Sequence, residues 1–159
     1  MTLPLPMRIK YVLISLAIFI LGILLGGYLF SKTQPRSFLA LNNCQQQCLN
    51  TNELAGLVGS VVMNSAPLLL APVVIMETDK TVVIKNPVPE AATDFVVIPK
   101  KDIKDAGELS DADKPYLIDA YAVIQRLIER EGLKRYEVTT YGPGRQQVRY
   151  LHFHLKSVD

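Results

Sequence analysis

Residues 11–30 read YVLISLAIFILGILLGGYLF, an apolar run without a single charge. As a helix rising about 1.5 Å per residue it matches the roughly 30 Å hydrocarbon core of a bilayer, so the pattern predicts a transmembrane helix. A cleaved signal peptide is the alternative. Its apolar region usually spans only about 7–15 residues before a small-x-small cleavage site, and Gly26-Gly27-Tyr28-Leu29-Phe30 supplies no such site. An uncleaved, single-pass anchor is therefore expected, preceded by a short tail over residues 1–10.

A second uncharged stretch follows at residues 54–76, but Ser60, Asn64, Ser65, Pro67 and Pro72 interrupt it. Proline breaks helices, and an asparagine facing lipid is costly. The pattern predicts a buried or membrane-apposed helix over residues 52–64, a turn, and a hairpin of residues 73–76 and 81–85 around Asp79-Lys80. A second spanning helix is the competing reading, and it would return the domain to the cytoplasm.

Residues 95–99, FVVIP, read as a strand ending at proline. Ser110 can cap the next helix, Asp111 and Asp113 suit its N-terminal dipole, and Tyr116, Ala120, Tyr121, Ile124, Leu127 and Ile128 form an apolar stripe before Gly132. Residues 136–141 read as a strand, Gly142-Pro143-Gly144 as a turn, and residues 147–155 as the partner strand. Alternation on that last strand places Tyr150, His152 and His154 on one face, with Leu151, Phe153 and Leu155 turned to a core. The predicted fold class is α+β: an antiparallel sheet with one long helix, preceded by a transmembrane helix. Residues 31–51 are expected to be a tether and residues 52–159 the domain, since the chain beyond the anchor is long enough for one core and not for two.

The net charge of +2 gives no electrostatic case for nucleic acid. Arg8 and Lys10 precede the anchor and Lys32 and Arg36 follow it, so the charge bias that orients a spanning segment is nearly balanced. A short N-terminus favours a domain on the non-cytoplasmic side. Cys44 and Cys48 are the only cysteines. An even count beside an anchor suits an oxidising compartment and a disulfide, although four-residue spacing permits one only on a nonhelical backbone. Free thiols or metal ligands are the other possibilities, and two thiolates alone do not complete a zinc site.

The chemistry concentrates at the end of the chain, where His152 and His154 are the only histidines. Two imidazoles two residues apart on one strand face can act as a nucleophile and a phosphate donor, or as metal ligands. The plainer alternative is a pair of exposed or core histidines. Arg145, beside the glycine turn, is placed to fork two phosphate oxygens or simply to face solvent. Lys100 and Lys101 invite a phosphate reading, though paired lysines after a strand are usually solvated. Phosphate-binding glycine loops, His-Glu-x-x-His and Gly-x-Ser-x-Gly motifs are absent.

Residues 85–103, KNPVPEAATDFVVIPKKDI, resemble the first conserved block of the histidine triad (HIT) family of nucleotide hydrolases and transferases, and the later elements follow in that family's order. The resemblance covers residues of about 73 to 156. The family motif, His-φ-His-φ-His-φ-φ with φ apolar, is matched by Tyr150-Leu151-His152-Phe153-His154-Leu155-Lys156, in which the first histidine is a tyrosine. The resemblance makes His152 the nucleophile and retains the third histidine as His154. A further family histidine corresponds to Asp94, a ribose-binding aspartate to Asn86, an asparagine of the penultimate strand to Tyr141, and a serine near the phosphates to Gln147. The glutamine before that serine is kept as Gln146.

The resemblance implies hydrolysis or transfer at a nucleotide phosphoanhydride, with His152 attacking phosphorus as a neutral imidazole and His154, Gln146 and Arg145 steadying phosphoryl oxygens. Asn86, Gln147 and Tyr150 complete the expected substrate-binding set. It implies no cofactor and no metal, and dimers are common among such proteins. Anchor and histidine strand together also resemble CDP-diacylglycerol pyrophosphatases, which makes a nucleotide-activated lipid at the membrane a candidate partner. The alternative is a tethered, catalytically inactive nucleotide-binding or scaffold module, for which Tyr150, Asp94 and Asn86 are the evidence.

Overall fold

A computed structural model describes residues 7–39, 48–67 and 70–158. The chain divides into two units, one ending at Ser31 and one comprising Lys32–Asp159. The first is a single helix, α1 (Met7–Phe30), with no buried residue. Among the described residues it is the one helix long and apolar enough to cross a membrane. It starts earlier than the uncharged run because Arg8 and Lys10 are helical too.

The second unit is built on a five-stranded antiparallel sheet. Its strands are β1 (Val74–Glu77), β2 (Thr81–Lys85), β3 (Asp94–Pro99), β4 (Tyr136–Thr139) and β5 (Phe153–Ser157), in the spatial order β1-β2-β3-β5-β4. The β1–β2 turn is closed by Thr78, whose Oγ1 accepts from the amides of Lys80 and Thr81. β5 lies between β3 and the edge strand β4, with Val96 of β3 and Thr139 of β4 flanking His154.

Helix α3 (Lys114–Glu131) covers one face of this sheet. Ser110 and Asp113 form a capping box around the short 3₁₀ turn that precedes it, Pro115 sits in the first turn, and Gly132 at φ 63° ends it. Only glycine takes that left-handed conformation without strain, so the stop is encoded locally. Val123, Ile124 and Leu127 pack against Val83, Val97 and Leu155 in the main core.

Helix α2 (Thr51–Ser65) approaches the opposite face, capped by Asn50, whose side chain accepts from the Glu53 amide. Met63 meets Val82 and Tyr150 in a smaller apolar cluster. Gly56 permits the approach, because a Cβ there would lie 2.4 Å from the Arg149 carbonyl oxygen. The second-helix reading of the sequence is thus met by a short helix applied to the sheet.

The final strand is shorter than its alternation predicts. Residues 143–145 form a turn and 147–150 a bend, and regular pairing begins at Phe153. The reason lies in where the amides go: Gln146 N–H donates to the Gly142 carbonyl, Arg149 N–H to Asn52, and Leu151 N–H to Ile103. The alternation nevertheless holds, with Leu151 and Leu155 buried in the main core. β4 likewise stops at Thr139, short of Tyr141.

The segment expected to be a tether, residues 31–51, is partly built into the second unit. The Gln34 amide donates to Asp102 Oδ2 at 2.7 Å, and its side chain to the Asp102 carbonyl at 2.8 Å. The fully buried Arg36 guanidinium pairs with Asp102 and Glu53 and donates to the Arg149 carbonyl. Cys48, outside any helix, is disulfide-bonded. Cys44, the only other cysteine, lies outside the described residues.

Candidate functional site

Between α2 and the sheet lies a cavity of about 690 Å³. Gly59, Val62 and Met63 of α2 form one wall, and Ile84, Val96 and Ile98 of β2 and β3 form the opposite one. His152, His154, Tyr141, Arg145 and Gln147 gather along its polar edge. The sheet's pleat delivers the histidines there, since side chains of residues 152 and 154 leave the same face.

His152 Nδ1 lies 2.7 Å from the carbonyl oxygen of Tyr150. A carbonyl only accepts, so Nδ1 carries the proton and donates it, leaving Nε2 as the basic nitrogen. Burial holds the His152 pKa below the ordinary imidazole value, against the opposing pull of that hydrogen bond. His154 is lowered as well, first by burial, with the Asp94 carboxylate pulling the other way. The two rings meet edge to face with centroids 5.1 Å apart. Both are thus held as neutral imidazoles near pH 7.

Asp94 is almost wholly buried. Its Oδ2 accepts from Asn86 Nδ2 at 2.8 Å and from the Glu90 amide at 3.0 Å, while its Oδ1 faces His154 Nδ1 at 3.8 Å. Arg145 stacks its guanidinium on Tyr141, 4.7 Å from the ring centroid, and Tyr141 packs on His154. A cation, an aromatic ring and two imidazoles therefore line one side of the chamber, with Asn86, Glu90 and Gln147 the other polar residues in a lining that is otherwise apolar apart from the buried Tyr150.

Residues 70–159 match the family model described as the scavenger mRNA decapping enzyme C-terminal binding domain, a HIT-like family. The chain belongs to the histidine triad family. Its fold is similar to a HIT family hydrolase from Clostridium thermocellum (TM-score 0.52, 27% identity, covering 54% of this chain and 78% of the other). It is also similar to a HIT family hydrolase from Legionella pneumophila (TM-score 0.52, 26% identity, covering 55% and 81%). A zinc-bound histidine triad protein from Mycobacterium smegmatis shares the fold at 20% identity, with a TM-score of 0.51 over 64% of this chain and 74% of that one. No curated protein matches the chain.

As a HIT protein, the chain brings six of the seven residues expected from its sequence to the cavity: Asn86, Arg145, Gln147, Tyr150, His152 and His154. Gln146 is the exception. It is buried behind the site, where its Nε2 donates to the Lys104 carbonyl at 2.9 Å and to the Tyr150 carbonyl at 3.1 Å. It thus grips the same carbonyl that orients His152, and a place among phosphate-binding side chains is not its position.

Tyr150 also differs from expectation. Its ring lines the cavity, but it packs with Met63 and Val82, and its hydroxyl is buried beside Asn64 of α2 without a hydrogen bond of good geometry. Burial, followed by the nearby Asp102 charge, pushes the phenol far above its ordinary value, so it stays protonated. Asn86 reaches the cavity with its amide already committed to Asp94 and its Oδ1 accepting from the Val88 amide. Lys100 and Lys101 pair with Glu77 and Asp113 instead of forming a phosphate site.

Among the described residues, no group of three or more His, Cys, Asp or Glu is arranged to hold a metal ion. Sequence reasoning missed the α2 wall, whose signal is the small residues Gly56 and Gly59 interleaved with Val62 and Met63. It also missed the Asp94–His154 approach, which spans two strands and leaves no local trace.

Proposed function

We propose that this HIT protein is a membrane-anchored hydrolase or transferase acting on a nucleotide phosphoanhydride through His152. The observation that carries this reading is the Nδ1 contact of His152 with the Tyr150 carbonyl, which leaves Nε2 as the unprotonated nitrogen of a ring that lines the cavity. Nε2 attacks phosphorus, a P–N bond forms, and the P–O bond of the anhydride breaks to release the distal phosphate or phosphate ester. Water, or an acceptor hydroxyl in a transfer, then displaces the histidine and restores the neutral ring. Splitting the displacement in two is what a nucleophile contributes, while His154 and Arg145 offset charge on the equatorial oxygens.

The apolar walls favour a substrate with a hydrophobic portion beside its anhydride. Together with α1 they support a nucleotide-activated lipid such as CDP-diacylglycerol. The disulfide at Cys48 supports a domain on the non-cytoplasmic side, where such bonds persist. A homodimer is the assembly the family resemblance implies. The second reading, an inactive tethered nucleotide-binding or scaffold module, is favoured by one observation: Asn86 spends its amide on Asp94 and its carbonyl on Val88, which weakens it as a ribose partner.

The test is turnover. Full-length chain in detergent micelles should cleave at least one member of a panel of dinucleoside polyphosphates, nucleoside phosphoramidates and CDP-diacylglycerol, and His152→Asn should cleave none. Binding of panel members without turnover would favour the scaffold.

A further inference from the structure

Asp94 is a buried carboxylate that faces His154; its cross-strand neighbour Lys156 gives its ion pair to Glu90. Its side chain is fully buried, and among the described residues no lysine or arginine pairs with it. Oδ1 is buried with no hydrogen-bond partner, and the same holds for His154 Nδ1, 3.8 Å away. That separation is too long for a hydrogen bond. Asp94 is not free to turn elsewhere, because Asn86 and the Glu90 amide hold its other oxygen. The His154 ring is sandwiched by His152 and Tyr141.

We propose that Asp94 and His154 form a proton-linked oxyanion receptor, in which an anion bound beside His154 draws one proton from solvent onto its ring and closes the Asp94–His154 gap. This deepens the phosphoanhydride reading and rests on it for where the anion lies. A neutral ring cannot satisfy both sides, since only one of its nitrogens donates. The imidazolium donates from both: Nδ1–H to Asp94 and Nε2–H to the anion. Without an anion, burial keeps the ring neutral. A second negative partner tips that balance, because an opposite charge within hydrogen-bond reach favours the charged form.

The charges of Lys156 and Glu90 act on His154 in opposite directions, Lys156 against a protonated ring and Glu90 for it. On β5, His152 is neutral and Lys156 is paired with Glu90, which reaches in from the β2–β3 connection. Arg145 stands beyond Tyr141, and β4 presents Thr139 opposite His154. The cavity-lining residues of α2 are Gly59, Val62 and Met63, all uncharged. Asp94 is thus the carboxylate in direct line with the His154 ring.

The chain has only two histidines, so their ring protons can be followed by NMR in the full-length protein in micelles, with His152→Asn assigning them. Sulfate is the probe, because it does not titrate in the accessible range. Saturating sulfate should raise the His154 midpoint by about one unit or more, and sulfate affinity should fall by up to about tenfold per pH unit between the free and the bound midpoints and level off above them. Asp94→Asn keeps an oxygen for Asn86 and the Glu90 amide, and should lose most of the shift and flatten the affinity profile. An unmoved midpoint, an equal shift in Asp94→Asn, or no sulfate binding would overturn the proposal.

Should Asp94→Asn fail to fold, His154→Asn serves in its place. Its sulfate affinity must be independent of pH, and a wild-type profile would overturn the receptor. Sulfate binding needs no turnover, so the two readings separate cleanly. Linkage without cleavage of any anhydride leaves the receptor standing and removes the hydrolase, whereas cleavage without linkage does the reverse.

Discussion

His152 donates its Nδ1 proton to the carbonyl oxygen of Tyr150, 2.7 Å away and two residues earlier in the chain. That carbonyl also accepts from Gln146 Nε2. The backbone just before β5 therefore fixes both the tautomer and the aim of the ring, with no second side chain needed to act as base.

Loss of His152 should be far more damaging than loss of His154. His152→Asn removes the attacking atom and is expected to cost several orders of magnitude in kcat. His154→Ala removes one oxyanion donor, worth roughly 10²- to 10³-fold. Steady-state rates on the best panel substrate measure the gap, and equal losses would contradict distinct roles.

The pH dependence follows from the direction of the histidine shifts. The proposed nucleophile must be neutral, and burial lowers its pKa, so the acid limb of kcat/KM should lie below the ordinary histidine value of about 6.5, while the proton that His154 takes up with the anion adds a decline as pH rises. Stability also falls on acidification. In the unfolded chain both histidines take up protons at about pH 6.5, while the folded protein resists doing so, so folding stability should decline as pH drops below that value and approaches the lowered folded pKa values. Urea melts from pH 8 to 5 check the sign.

Tyr150→Phe should retain turnover and lie within about 1 kcal/mol of wild type, because the hydroxyl makes no hydrogen bond of good geometry. Tyr150→His restores the family residue but places a smaller polar ring against Met63 and Val82. A loss of about 1–3 kcal/mol is expected from the void and the buried polar nitrogen. Thermal melts of the two variants, read beside their rates, distinguish a packing role from a catalytic one.

Arg36→Ala should destabilise the second unit by about 3–5 kcal/mol, since it strands the buried Asp102 carboxylate. Gly56→Ala is expected to act in the same region by driving a methyl into the Arg149 carbonyl. Consequently a truncated chain beginning at residue 32 should melt higher than one beginning at residue 52. Identical melting would show that residues 32–39 contribute nothing to the fold.

What the sequence conveyed is what local chemistry dictates. Ser110, Pro115 and Gly132 mark the ends around α3, the alternation of Leu151, Phe153 and Leu155 assigns the core face, and the uncharged run through α1 announces itself. Five of the six site residues were legible because β5 and its preceding loop carry their side chains to one cavity, and Asn86 joins them from just after β2. Gln146 was misplaced because burial, which sequence spacing does not reveal, turned its amide toward Lys104 and Tyr150. Residues 147–151 read as strand since their pattern alternates, but the amides of Arg149 and Leu151 are captured by Asn52 and Ile103, partners distant in sequence. Arg36 lay hidden for the same reason, its partners Glu53, Asp102 and Arg149 being drawn from three separate segments.

The most direct measurement of the central claim is to trap the intermediate. Full-length protein is mixed with a cleavable nucleotide anhydride, quenched in alkali within the first turnover, where a phosphoramidate bond to histidine persists, and mapped by peptide mass spectrometry. The account requires a nucleotidyl or phosphoryl adduct on the Nε2 nitrogen of His152, absent from His152→Asn. Turnover with no adduct on His152 at any time, or an adduct carried by His154, would contradict it.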